Sequence, residues 1–84
     1  MKQVTLDCSK MTVPDEVHDL FAQALDFPDW YGHNLDALMD CLTDLDETAI
    51  TLTGWRELGF PAEGFWQVFR QAATDNPDLT VIFA

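Results

Sequence analysis

Asp36, Asp40 and Asp44 follow one another at intervals of four, and no Lys or Arg occurs anywhere from Met11 to Trp55. On an α-helix this spacing stacks three carboxylates along one face, where like charges oppose helix formation by about a few tenths of a kcal/mol per pair. Asp36, near a helix start, is helped by the helix dipole; Asp40 sits mid-helix, and Asp44 faces the negative end, where a cation is preferred. Such a row stabilises a helix poorly but meets cations well, because rigidly spaced carboxylates can stand in for the phosphates of a polynucleotide. Directly ahead lies Trp30-Tyr31-Gly32-His33-Asn34. It sets two large aromatics in a turn, with Gly32 allowing a positive φ. Aromatics beside fixed charges are the makings of an interface hot spot, the ring covering a catalytic imidazole or taking the place of a stacked base. A solvated acidic face would account for the charges alone, and a lid on the core for either ring alone; their juxtaposition favours an interface.

The whole chain supports that direction. Fifteen Asp and Glu against four Lys and Arg give a formal net charge of −11, and ten of the acids fall between Asp15 and Glu47. This argues against direct binding to nucleic acid or an anionic membrane and for a basic partner. An enzyme reading would make Asp36 and Asp40 an acid and base pair assisted by His33, but carboxylates one turn apart on a convex helix lack a cleft. Asp44, Asp46 and Glu47 do not follow the twelve-residue calcium-loop pattern. No cofactor and no metal is expected. His18 lies off the apolar stripe of its helix and is expected to face solvent. Cys8 and Cys41 form no CxxC or Cys/His metal spacing and are read as small buried thiols of a reducing compartment. The amino terminus turns polar before a signal core could form, so a cytoplasmic location is expected.

The elements that must position the carboxylates follow from periodicity. Gln3–Asp7, Ala49–Thr53 and Leu79–Phe83 have the length and β-forming composition of strands. Val17, Leu20, Phe21, Ala24 and Leu25 repeat at helical spacing behind a capping box of Thr12 with Asp15, and that helix should end near Phe27-Pro28. Asn34 is a good N-cap for a second helix whose stripe is Leu35, Leu38, Met39, Leu42 and Leu45. Trp55 to Phe60 is expected to form a short helical turn, and Phe65, Val68, Phe69 and Ala72 mark a third long helix stopped by Asp75-Asn76-Pro77-Asp78. With 84 residues, 48% of them hydrophobic, one domain is expected. Strands separated by helical crossovers pair in parallel, so the expected α/β fold is a two-layer one, a three-stranded parallel sheet in order 1-2-3 packed by three to four helices.

The segment Tyr31-Gly32-x-Asn34-Leu35-Asp36-Ala37-Leu38-x-Asp40-Cys41-Leu42-Thr43 closely resembles the signature of the barstar family of bacterial ribonuclease inhibitors. The likeness runs along nearly the whole chain, through Trp55-Arg56, Gln67-Val68-Phe69-Arg70 and Leu79-Thr80-Val81-Ile82. The resemblance implies a barstar-like fold, no catalytic residues, and a 1:1 complex with a basic ribonuclease or ribonuclease-like toxin of the guanyl-specific, barnase type. It implies that Asp40 enters the enzyme's phosphate site, that Asp36 meets basic residues beside it, and that Gly32, Asn34, Leu35 and Thr43 form the surrounding contact surface. Tyr31 matches a family contact residue, and Trp30 stands where the family has the tyrosine that packs on the enzyme's catalytic histidine. Two contact positions depart from the pattern: Met39 replaces a tryptophan, and Gln71 replaces a glutamate that reaches the enzyme's rim. The alternative is an immunity or regulatory protein of the same fold with a different toxin, or a basic partner that is not a ribonuclease. Asp15 and Asp78 are expected to lie outside the contact surface.

Overall fold

A computed structural model describes all 84 residues, Met1–Ala84. The element order is β1 (Lys2–Asp7), α1 (Pro14–Leu25), α2 (Leu35–Thr43), β2 (Thr48–Thr53), α3 (Glu63–Asp75) and β3 (Leu79–Phe83). The three strands form one sheet in order β1-β2-β3, with both pairings parallel. The register aligns Val4 with Ile50 and Ile50 with Val81, and Leu6 with Leu52 and Leu52 with Phe83. Alternation decides which face is covered: Thr48, Ile50 and Leu52 are buried, and the residues between them are half-buried. α1 packs on β1 and α3 on β3, whereas α2 packs chiefly on α3. Leu6, Phe21, Leu38, Leu42, Ile50, Leu52 and Phe69 are fully enclosed members of the core. Phe21 and Phe69 meet edge to face with centroids 5.0 Å apart, the favoured aromatic geometry.

Several local expectations are corrected. α1 is closed by Glu16, not Asp15: its carboxylate accepts hydrogen bonds from the Thr12 hydroxyl at 2.8 Å and from the amides of Thr12 and Val13 at 3.0 and 3.2 Å. The N-cap is Val13, one residue later than Thr12, which makes Glu16 the third helical residue and the one able to reach back. The end near Phe27-Pro28 is as expected: α1 stops at Leu25, Asp26 turns left-handed at φ 59°, and proline disfavours a helical Phe27. Trp55 to Phe60 forms turns and no helix, so the sheet is packed by three helices. That segment leaves β2 through Gly54 at φ 64°, where an added Cβ would lie 2.7 Å from the Ser9 amide nitrogen, so only glycine fits.

Candidate partner-binding surface

α2 presents the carboxylates. Asn34 starts it as expected, its side-chain oxygen accepting from the Ala37 amide at 2.8 Å while its amide group donates to the Gly32 carbonyl at 3.1 Å. The positive φ of the preceding turn falls at His33, φ 49°, and not at Gly32. At the other end the Thr43 hydroxyl donates to the carbonyls of Met39 and Asp40 at 3.0 Å each. The buried Asn76, C-cap of α3, donates to the carbonyls of Leu42 and Leu45 at 3.1 and 2.9 Å. Asn76 therefore satisfies two carbonyls at the end of α2 from another element and fixes where that helix stops. The sequence marked Asn76 only as a helix stop, since a long-range cap leaves no local pattern.

With Leu38, Cys41 and Leu42 buried, Asp36, Asp40 and Asp44 are all on the exposed side. None of the three is in an ion pair: the charged contacts of the molecule are His33 with Asp15 and Asp19, and Arg70 with Glu63. Trp30 is 64% exposed, a large ring left in solvent on the turn that leads into the helix. Leu35, Asp36 and Met39 of α2 face Gly64, Gln67, Val68 and Gln71 of α3 across an open groove of about 420 Å³. Gln71, at the far side of that groove, donates to Asp75 at 3.0 Å. The structure thus brings Leu35, Asp36, Met39 and Gln71 to one groove. Asn34 and Gly32 lie at the helix start, and Asp40 and Thr43 lie further along α2.

Tyr31 behaves differently from its neighbour. It is 8% exposed, its ring lies 4.9 Å from Phe27, and its hydroxyl is bonded to His18 Nδ1 at 2.5 Å. His18, expected in solvent, is 4% exposed. Its spacing to Phe21 and Leu25, three and seven residues on, is the signal that places it on the inner face of α1. Burial, and then the nearby His33, push its pKa below the ordinary value, while Asp15 and Asp19 pull the other way. The His18–Tyr31 bond anchors the turn that carries Trp30 to the core. Burial raises the Tyr31 pKa, so the phenol stays protonated. Burial also raises the Cys8 thiol to about 11 and raises the Cys41 thiol, so neither is a nucleophile at neutral pH. No group of three or more His, Cys, Asp and Glu is arranged to hold a metal ion, and no helix is long and apolar enough to cross a membrane.

The chain matches the family model described as barstar (barnase inhibitor) over residues 1–83. The chain belongs to the barstar family. It is also 42% identical over 52 residues to the Bacillus subtilis (strain 168) protein named "Putative ribonuclease inhibitor YrdF", a match covering 62% of this chain and 57% of that protein. The parallel sheet in order 1-2-3 with three helices agrees with a barstar-like architecture. Within this barstar-family chain, the signature segment Tyr31–Thr43 spans the turn after α1 and the whole of α2.

Proposed function

We propose that this chain is a non-catalytic inhibitor of a basic ribonuclease of the guanyl-specific, barnase type, and that it acts by occupying the enzyme's active site in a 1:1 complex. The observation that carries the reading is a helix whose exposed carboxylates, Asp36 and Asp40, have no cation of their own, next to a solvent-exposed Trp30. The family description and the name of the Bacillus relative both point to inhibition of a ribonuclease. In this mechanism Asp40 takes the place of a substrate phosphate among the enzyme's cations, and Asp36 meets basic groups at the edge of that site. Trp30 covers the catalytic imidazole. Gly32, Asn34, Leu35, Met39, Thr43 and Gln71 form the surrounding surface, to which Tyr31 contributes mainly by holding the turn in place. Charge complementarity accelerates encounter, so association slows as salt rises.

The departures at Met39 and Gln71 keep a second reading open, in which a different toxin is the partner. Met39 is half-buried in the groove, and Gln71 is neutral and bonded within its own helix, so the α3 side of the groove has no carboxylate of its own to offer a cation. The test is RNA cleavage by a barnase-type ribonuclease titrated with this protein, with and without a guanosine monophosphate that occupies the enzyme's site. Inhibition at one equivalent, relieved by the nucleotide, supports active-site blocking. Full cleavage at micromolar protein would exclude this class of enzyme.

A further inference from the structure

A second concavity opens beside the α2–α3 groove and shares Leu35 and Gly64 with it. It is a cleft of about 370 Å³ between the starts of α1 and α3, walled by Pro14, Pro61 and Phe65, with Asn34 on its α2 side. His18 is the polar group that lines it from within the core. Its Nδ1 is bonded to the Tyr31 hydroxyl, which has no other acceptor in the protein. This favours the tautomer in which Tyr31 donates to Nδ1 and the imidazole proton resides on Nε2. That N–H has no hydrogen-bond partner in the protein, yet it is not sealed off, because no enclosed side-chain nitrogen or oxygen lacks a partner. His18 is a wall of the cleft, so its nearly buried donor is open to an acceptor bound there.

The carboxylates that flank His33, one wall of the cleft, decide which acceptor. His33 stacks on His18 with centroids 5.5 Å apart and planes 6° apart. Asp19 lies 3.2 Å from His33 Nε2 and Asp15 3.8 Å from its Nδ1, and the two carboxylate side chains are 60% and 80% exposed. No Lys or Arg lies between Met11 and Trp55 to neutralise them. A carboxylate or phosphate would be repelled beside these carboxylates, whereas a neutral carbonyl on a chain that also carries a cation suits both His18 and the two acids. An extended main chain bearing Lys or Arg has that pattern.

We propose that this cleft is a second contact area for the basic partner of α2. It takes an extended segment of the partner's chain, with a main-chain carbonyl on His18 Nε2 and a Lys or Arg side chain on Asp15 and Asp19. The proposal rests on the reading of α2 as a surface for a basic protein, and it moves Asp15, expected outside the interface, into it.

The test is NMR of the imidazole groups in ¹⁵N-histidine-labelled protein. The probes are an acetylated and amidated Gly-Arg-Gly-Arg-Gly peptide, the same peptide with Gln for Arg, and a barnase-type ribonuclease. The arginine peptide should shift the His18 Nε2–H and the His33 resonances, binding at least about fivefold more tightly than the glutamine peptide. That preference should vanish in the Asp15→Asn/Asp19→Asn double variant and persist in Asp40→Ala. Absence of any response at His18, equal responses to the two peptides, or a response that survives the double substitution would overturn the proposal. If the ribonuclease binds through α2 while His18 does not respond, the cleft is outside the footprint and the α2 reading stands alone. If the ribonuclease fails to bind while the arginine peptide binds as described, the α2 reading fails for that enzyme and the cleft's preference for a basic chain is upheld.

Discussion

Charge is used in opposite ways at two regions of this molecule. Around the end of the sheet, both arginines are occupied within the chain: Arg56 lies 4.5 Å over the Trp55 ring, and Arg70 bonds Glu63 at 2.9 Å and lies 4.8 Å over Phe83. Trp55 is itself tied down, its indole N–H donating to the Ala84 carbonyl at 3.0 Å. On α2 the carboxylates of Asp36 and Asp40 have no such partner, and Trp30 has no ring stacked on it. The same residue classes, aromatic and charged, are self-satisfied at one region and unsatisfied at the other. Charges that serve the fold are paired internally. Those left unpaired on a rigid helix repel one another at a small cost to stability and remain available to a partner.

This contrast can be broken by substitutions that should affect one property and spare the other. The largest effect on stability should come from Phe69→Ala, beneath the aromatic cluster of the arginine region, where truncating a fully buried ring costs about 3–5 kcal/mol in a urea unfolding titration. Asp40→Ala should raise the unfolding midpoint slightly, by relieving repulsion with Asp36 and Asp44, yet raise the Kd for the ribonuclease by at least about thirtyfold, the scale of an interface hot spot. Trp30→Ala should raise the Kd by about tenfold, again with no loss of stability, since the ring is mostly in solvent. Equal losses of stability in the two α2 variants would dissolve the distinction.

Smaller effects sharpen it. His18 is held neutral by burial, so its folded pKa lies below the ordinary 6.5 that it regains on unfolding. The unfolded chain then takes up the proton first, and stability is intact above pH 6.5 and declines as pH falls below it. Urea titrations at pH 7.5 and 5.5 should show this decline, and His18→Gln should flatten it. The lowered pKa values of Asp7 and Glu16, each due first to a side-chain hydrogen bond, from Ser9 and Thr12 respectively, act only in more acid solution. Arg70→Ala, which removes an exposed pair with Glu63 and the contact over Phe83, should cost about 1 kcal/mol, with no change in Kd. Smallest of all, Asp44→Asn should stabilise by about a few tenths of a kcal/mol by relieving repulsion at the negative end of α2.

The sheet, its order and the three long helices were legible in the sequence because each rests on a repeated apolar pattern that the core then enforces. The Asn34 cap was legible because its hydrogen bond closes within three residues. What the sequence hid depends on distant partners. The burial of His18 is completed by Tyr31 and Phe65, thirteen and forty-seven residues away. The Asn76 cap reaches thirty-four residues back to Leu42. The left-handed residue of the turn before α2 is His33, whose ring stacks on His18 and lies between Asp15 and Asp19, contacts a local reading does not contain. Trp30 and Tyr31, equivalent as adjacent aromatics in sequence, were separated into one exposed and one anchored ring by the same cluster.

The central claim is that unpaired α2 carboxylates are kept for a cationic active site. The most direct measurement is calorimetric titration of a barnase-type guanyl-specific ribonuclease with the wild-type chain and with Asp40→Ala, at low and at high salt. The account predicts a 1:1 complex that weakens as salt rises, with the substitution removing most of the affinity and part of the salt dependence. Equal binding by the two proteins, or binding indifferent to salt, would contradict it.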